Sequence, residues 1–279
     1  MDNIIINVNS AFRNKTSHPT STNFNYKLPM PLKNIIYMRM TSIEVPNINY
    51  IIKASKNNNT FQLNNINGDV SVNTITIPDG NYTSDNFINL VNDIIDNING
   101  NHFEMSISST TGKLTIENKN SHTFDLNFAR SGDTTYQGIN YLLGYSNETY
   151  TGETSYTADS IINLVANHYF FIKINKIPNV IDNYVNDAFA KIIVNTDKFN
   201  VQFEDYDSFI SKDKLFRSPV NIDRLDVELV DFRNKFLEFG LHEFSFTLEF
   251  GYIYDFNLYK SISNYGIPNG DDRIKFLYK

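Results

Sequence analysis

Apolar residues recur at every second position in many short runs of this chain, and at helical spacing in only one. The clearest alternating run is "FSFTLEF", in which Phe244, Phe246, Leu248 and Phe250 fall on one face and Ser245, Thr247 and Glu249 on the other. That pattern predicts an antiparallel strand buried on one side. The run from Ile35 to Val45 predicts a long strand, with "LPMPL" before it and Pro46 closing it. Shorter strands are predicted near 61–63, 70–77, 103–107, 114–116 and 124–128, and in "HYFFIKIN", "AKIIVN", "FNVQFED", "RLDVELVD" and "KFLEF". An Asn-Gly pair at 67–68 suits a hairpin turn. Helical spacing appears in "TSDNFINLVNDIIDNING", which predicts one amphipathic helix over about 84–98. Ser84 would cap it, Phe87, Leu90, Val91, Ile94, Ile95 and Ile98 would form its apolar face, and Gly100 would stop it. Residues 129–160 are polar and predict a long loop, a place where contact functions are often carried.

About ten strands, one helix and no strand-helix-strand alternation predict an all-β fold built as an antiparallel β-sandwich. A single jelly roll of about eight core strands, with the helix inserted, suits the 279 residues. No internal repeat or dividing linker is visible, so the expected organisation is one domain over 1–279. It would carry an N-terminal arm at about 1–24, holding one short strand, and a C-terminal tail at about 255–279.

Composition narrows the function. Aromatic residues make up 14% of the chain and hydrophobic residues 41%, enough for a packed β core. The formal net charge of −7 and pI near 5.2, with cations scattered rather than clustered, argue against nucleic acid as the main partner. There is no cysteine, which removes disulfides, thiolate metal sites and a cysteine nucleophile, and fits synthesis in a reducing cytosol. No signal peptide and no apolar run long enough for a membrane span are read, so a soluble protein is expected. Asparagine supplies about a seventh of the residues, which reads as AT-rich coding. At that abundance the Asn-X-Thr triplets at Asn14, Asn58, Asn81 and Asn147 are expected by chance.

Candidate chemistry is sparse. His18, His102, His122, His168 and His242 form no His-x-His or Glu-x-x-His pair; only His242 and Glu243 adjoin, and neighbours on a strand face opposite ways. Ser131 and Asp133 lie in "RSGDTTYQG" without a Gly-x-Ser-x-Gly elbow or an assignable base. No phosphate-binding glycine loop occurs. The best ligand candidate is "FEDYDSF", where Glu204, Asp205, Tyr206 and Asp207 set carboxylates beside aromatics as a glycan or cation site would, although a solvated acidic turn gives the same string. No catalytic residue, metal site or cofactor is expected, and the chain does not read as an enzyme.

Three blocks carry a resemblance. The first is "VNSAFRNKTSHPTSTNFNYKLPMPLKNIIYMRMTSIEVPN", with Asn9, Ser10, Arg13, Phe24, Leu28, Pro29, Leu32, Ile35, Ser42, Glu44, Pro46 and Asn47; the second is "ITIPDGNYTSDNFINLVNDI", with Ile77, Gly80, Tyr82, Leu90 and Ile94. The third runs from "SPVNIDRLDVELVD" to "FSFTLEF", with Pro219, Ile222, Leu225, Leu229, Phe246, Leu248 and Phe250. Their order and spacing resemble minor capsid proteins of nucleocytoplasmic large DNA viruses, mimivirus-like, and of their virophages. The single-jelly-roll vertex protein, the penton, is what a chain of this size most resembles. Two places depart from the pattern: Asn14 stands where an acidic residue usually follows the arginine, and "FRNKF" lacks the usual glycine turn. The resemblance implies a structural virion protein, five copies closing each icosahedral vertex, with the major capsid protein and other minor capsid proteins as partners and assembly in the host cytoplasm. A cementing minor capsid protein and a carbohydrate-binding attachment or spike protein are the alternatives.

Overall fold

The computed structural model describes residues 2–130, 137–165, 168–205 and 212–254. In chain order its elements are β1 (Asp2–Asn9), β2 (Asn23–Pro46), β3 (Thr60–Ile66), β4 (Asp69–Thr76), α1 (Ser84–Ile95), β5 (Phe103–Ile107), β6 (Lys113–Asn118), β7 (Phe124–Asn127) and α2 (Ile139–Leu143). There follow β8 (Thr149–Glu153), β9 (Ser155–Ile161), β10 (Tyr169–Ile174), β11 (Ala190–Ile193), β12 (Val201–Asp205), β13 (Asp213–Val230) and β14 (Ser245–Tyr252). Every strand pair is antiparallel. Packing groups the chain into two compact units, Met1–Asn49 with Asn167–Lys279, and Tyr50–Ala166.

The first unit is an antiparallel sandwich with jelly-roll strand order. One layer runs β1, β14 and the second half of β2, whose far side pairs with β12 and the first half of β13; the other runs the first half of β2, the second half of β13, β10, then β11. Seven strands therefore make nine segments of the sandwich, because β2 and β13 each serve both layers. Phe24, Leu28 and Leu32 from one half of β2 share a core with Met38, Met40, Ile43 and Val45 from the other, and with Phe246, Leu248 and Phe250 of β14. The prolines expected to precede a strand lie within one. Pro29 and Pro31 fall between the paired residues Lys27 and Leu32 of β2, and Pro219 falls between Leu215 and Val220 of β13, where the ladder slips. A residue without an N–H is best tolerated at such a break, where the regular ladder is interrupted. The prolines thus mark the passage from one layer to the other, and Asn34, at φ 56°, helps turn the strand.

The second unit has its own core, built from Phe61, Leu63, Phe87, Val91, Ile95, Phe103, Ile116, Phe124, Phe128 and Tyr145 among others. A four-stranded sheet, β4-β3-β7-β8, and a three-stranded sheet, β5-β6-β9, supply its strands. The Asn-Gly turn forms as expected: Asn67 and Gly68 both take positive φ between β3 and β4. The helix also forms, with Phe87, Val91 and Ile95 fully buried, but its cap is Thr83, whose hydroxyl accepts from the Asn86 N–H at 3.3 Å, and it stops at Ile95. Asn92, on its less apolar side, reaches β5: Nδ2 donates to the Met105 carbonyl at 2.9 Å and Oδ1 accepts from the Met105 N–H at 2.6 Å. One side-chain amide thereby pairs with an edge strand as another strand would.

Several expectations are corrected. The strands between 61 and 128 belong to this second unit and not to the sandwich, so between β2 and β10 the chain builds a second compact unit with its own core. Neither crossing, "NINY" or "VANH", has the glycine, proline or serine content of a linker. The predicted loop at 129–160 contains α2, β8 and most of β9; Tyr156 and Ala158 are buried in β9, but β8 is largely exposed and polar and so lacks the alternating signal. "KFLEF" is not a strand. Asp231 accepts from the backbone N–H groups of Arg233 and Lys235, both at 2.9 Å, folding the segment into a turn that returns only an isolated bridge from Phe236 to Val230. The expected arm is fastened: all eight residues of β1 pair with β14. The expected tail at 255–279 lies outside the described residues.

Candidate functional site

The acidic run divides between the two faces of β12. Glu204 points inward, where Lys212 Nζ lies 2.9 Å from its Oε1 and also donates to the Asp205 carbonyl at 2.7 Å. Lys212 is buried and Glu204 nearly so, while Asp205 points outward. Strand alternation forces this split, so the two carboxylates do not converge. Tyr206 and Asp207, like Ser131 and Asp133, lie outside the described residues.

The rest of β12 inverts the usual pattern. Gln202 is buried beside Glu204, whereas Val201 is 62% exposed and Phe203 57% exposed, with Phe199 just before them 66% exposed. A sheet edge that buries amide, carboxylate and ammonium while offering valine and phenylalanine to the outside differs from a solvated strand, and exposed apolar clusters of this kind mark interaction surfaces. Among the described residues β12 pairs with β2 alone. In sequence the alternation of "VQFED" was visible, but not its direction, which depends on which side meets the core.

The histidines are dispersed, and no group of three or more His, Cys, Asp or Glu among the described residues could hold a metal ion. His102 contacts Asp96 and His122 contacts Asn101 in the inserted unit. His242 offers its carbonyl to Ser21 Oγ at 2.8 Å.

Glu243, considered above only as a neighbour of His242, proves to be a hub. It accepts from Ser10 Oγ at 2.6 Å, pairs with the buried Arg13, and meets Lys15 Nζ at 3.2 Å. Arg13 also donates from Nε to the His18 carbonyl at 2.9 Å, from Nη1 to the Ser10 carbonyl at 2.8 Å and from Nη2 to the Pro19 carbonyl at 3.0 Å. Burial would raise the Glu243 pKa, but the hydrogen bonds from Ser10 and Lys15 and the Arg13 charge outweigh it and hold the carboxyl below its ordinary value. Ser10 and Arg13, two of the residues that carry the resemblance, thus secure the start of the chain; their partner 230 residues later could not be read from the sequence.

A second ionic group lies in the same layer of the sandwich. Arg39 is 3.0 Å from Asp213 and 3.7 Å from Glu249, which also accepts from the Tyr37 hydroxyl and Asn3 Nδ2, each at 2.7 Å. These groups cross-link β1, β14, β2 and β13.

What these features define is an all-β sandwich with an apolar sheet edge, and among the described residues the candidate side chains do not converge. No protein-family model matches the chain, and no curated protein matches it. Among solved structures, the crystal structure of SeMet-labeled mavirus penton protein is similar at 11% sequence identity and a TM-score of 0.45, covering 90% of this chain and 100% of that one.

Proposed function

We propose that the chain is a structural virion protein, a penton-type minor capsid protein that forms homopentamers at icosahedral vertices and contacts the major capsid protein and other minor capsid proteins. The observation that supports this reading best is the jelly-roll strand order of the first unit. It adds to the three ordered blocks by which the sequence resembles such proteins. A role of this kind needs interfaces and no reacting groups. The outward row Phe199, Val201 and Phe203 is the kind of surface that a ring of copies would bury, because head-to-tail contacts close into a ring when the rotation fits. Placement in the virion, and assembly in host cytoplasm, follow from the same reading.

Native mass spectrometry of the full-length chain over a range of concentrations tests it. Pentamers are expected, and Phe203→Asp should shift the distribution towards monomer. A chain that stays monomeric at high concentration overturns the vertex role and favours a cementing one.

A further inference from the structure

The segment between β1 and β2 is fixed in an unusual way. From Ser10 to Thr22 no apolar side chain is buried, and Phe12 is 81% exposed; the buried side chains are Ser10, Arg13, Ser21 and Thr22. Ser21 and Thr22 bond to the carbonyls of His242 and Leu237 next to the start of β2. From residue 11 to residue 20, therefore, Arg13 alone is buried, and its guanidinium gathers the Ser10, His18 and Pro19 carbonyls around the one carboxylate of Glu243. Ahead of it, β1 has β14 as its one sheet neighbour among the described residues, and of its side chains only Val8 is fully buried, with Ile4 and Ile6 partly packed on the core.

We infer that residues 2–22 are a releasable strap, fastened to the sandwich by the Arg13–Glu243 clasp, whose opening detaches β1 and uncovers the edge of β14. Burial of hydrophobic surface cannot hold residues 11–20, since they bury none. Removing the Glu243 charge leaves a buried guanidinium without a counter-charge, a situation that opposes the closed form far more strongly than loss of a surface pair would. Arg13 then leaves for solvent and takes the loop with it. β1 then rests on its ladder with β14, the Ser10–Phe244 bonds and the burial of Val8, without the clasp that closes its far end, and opens more often, while the rest of the sandwich keeps its core of β2, β10, β13 and β14 residues.

Hydrogen exchange read by mass spectrometry on the full-length chain tests the inference. In Glu243→Gln at neutral pH, amides of residues 2–9 should exchange at least ten times faster than in the unmodified chain, with residues 23–46 and 220–230 unchanged. Arg13→Lys should do the same, since an ammonium cannot span three carbonyls and the carboxylate, and it serves if Glu243→Gln does not fold. Lys15→Ala removes only the exposed partner and should leave β1 protected. Unchanged protection of 2–9 in the first two variants overturns the inference. So does equal acceleration of 23–46, or release by Lys15→Ala.

Discussion

Asparagine carries much of the local geometry. Of the eleven non-glycine residues with positive φ among those described, eight are asparagine: Asn34, Asn57, Asn65, Asn67, Asn97, Asn99, Asn175 and Asn234. Its short polar side chain makes the left-handed region accessible at lower cost than for other residues. A chain with only 12 glycines can therefore still make tight turns. Compositional bias explains how the asparagines became available, and backbone conformation explains where several of them stand. Asn234, at φ 64°, closes the turn organised by Asp231, its N–H donating to the Asp231 carbonyl at 3.0 Å. Asn234→Ala keeps the Cβ but loses the short polar side chain that eases the left-handed region, and should cost up to about 1 kcal/mol, whereas Asn234→Gly removes the Cβ as well and should cost less or nothing. Urea unfolding of the two variants measures the difference, and equal losses would show that the backbone conformation is not the cause.

At the level of elements, the sequence was informative wherever one face of a strand or helix was apolar and the other polar. β14 shows this, with Phe246, Leu248 and Phe250 buried as the alternation required, and so does α1 with Phe87, Val91 and Ile95. Legibility failed where polar atoms replaced apolar ones as the binding force. β8 pairs through its backbone with little burial, residues 235–239 follow Asp231 rather than their own alternation, and β12 turns its apolar side outward. The candidate site was hardest to read for the same reason: Glu243 acquires its role from Ser10 and Arg13, which only the fold brings near. Asn92 is the sharpest instance in the inserted unit, since its amide satisfies both backbone groups of Met105. Asn92→Ala should leave that N–H and carbonyl unmet and cost about 1–3 kcal/mol, while Asn92→Gln, one methylene longer, should recover little. A parallel rise in hydrogen exchange confined to Phe103–Ile107 would trace the loss to the helix-strand contact. Stability unchanged in Asn92→Ala would refute it.

At the scale of the whole chain, the two large hydrophobic cores have no residue in common, which implies two cooperative systems. Cooperativity follows shared burial, because a side chain that loses its neighbours destabilises those it touched and not a core it never met. The inserted unit is continuous in sequence, whereas the sandwich is assembled from segments on either side of it, so the former needs no long-range closure to collect its core. Residues 50–166 produced alone should therefore fold, showing β-rich circular dichroism and cooperative thermal unfolding. In the full chain, Gly144→Ala and Phe246→Ala should act on different transitions. At Gly144, φ is 87° and an added Cβ would lie 2.3 Å from the Ser160 carbonyl oxygen, so backbone strain and a clash fall on the inserted unit. Phe246 is wholly buried in the sandwich core, where truncation to alanine costs about 3–5 kcal/mol. Calorimetry should show each variant lowering one transition and sparing the other. If both variants shift a single transition by comparable amounts, the two cores unfold as one, and the insertion depends on the sandwich for its stability.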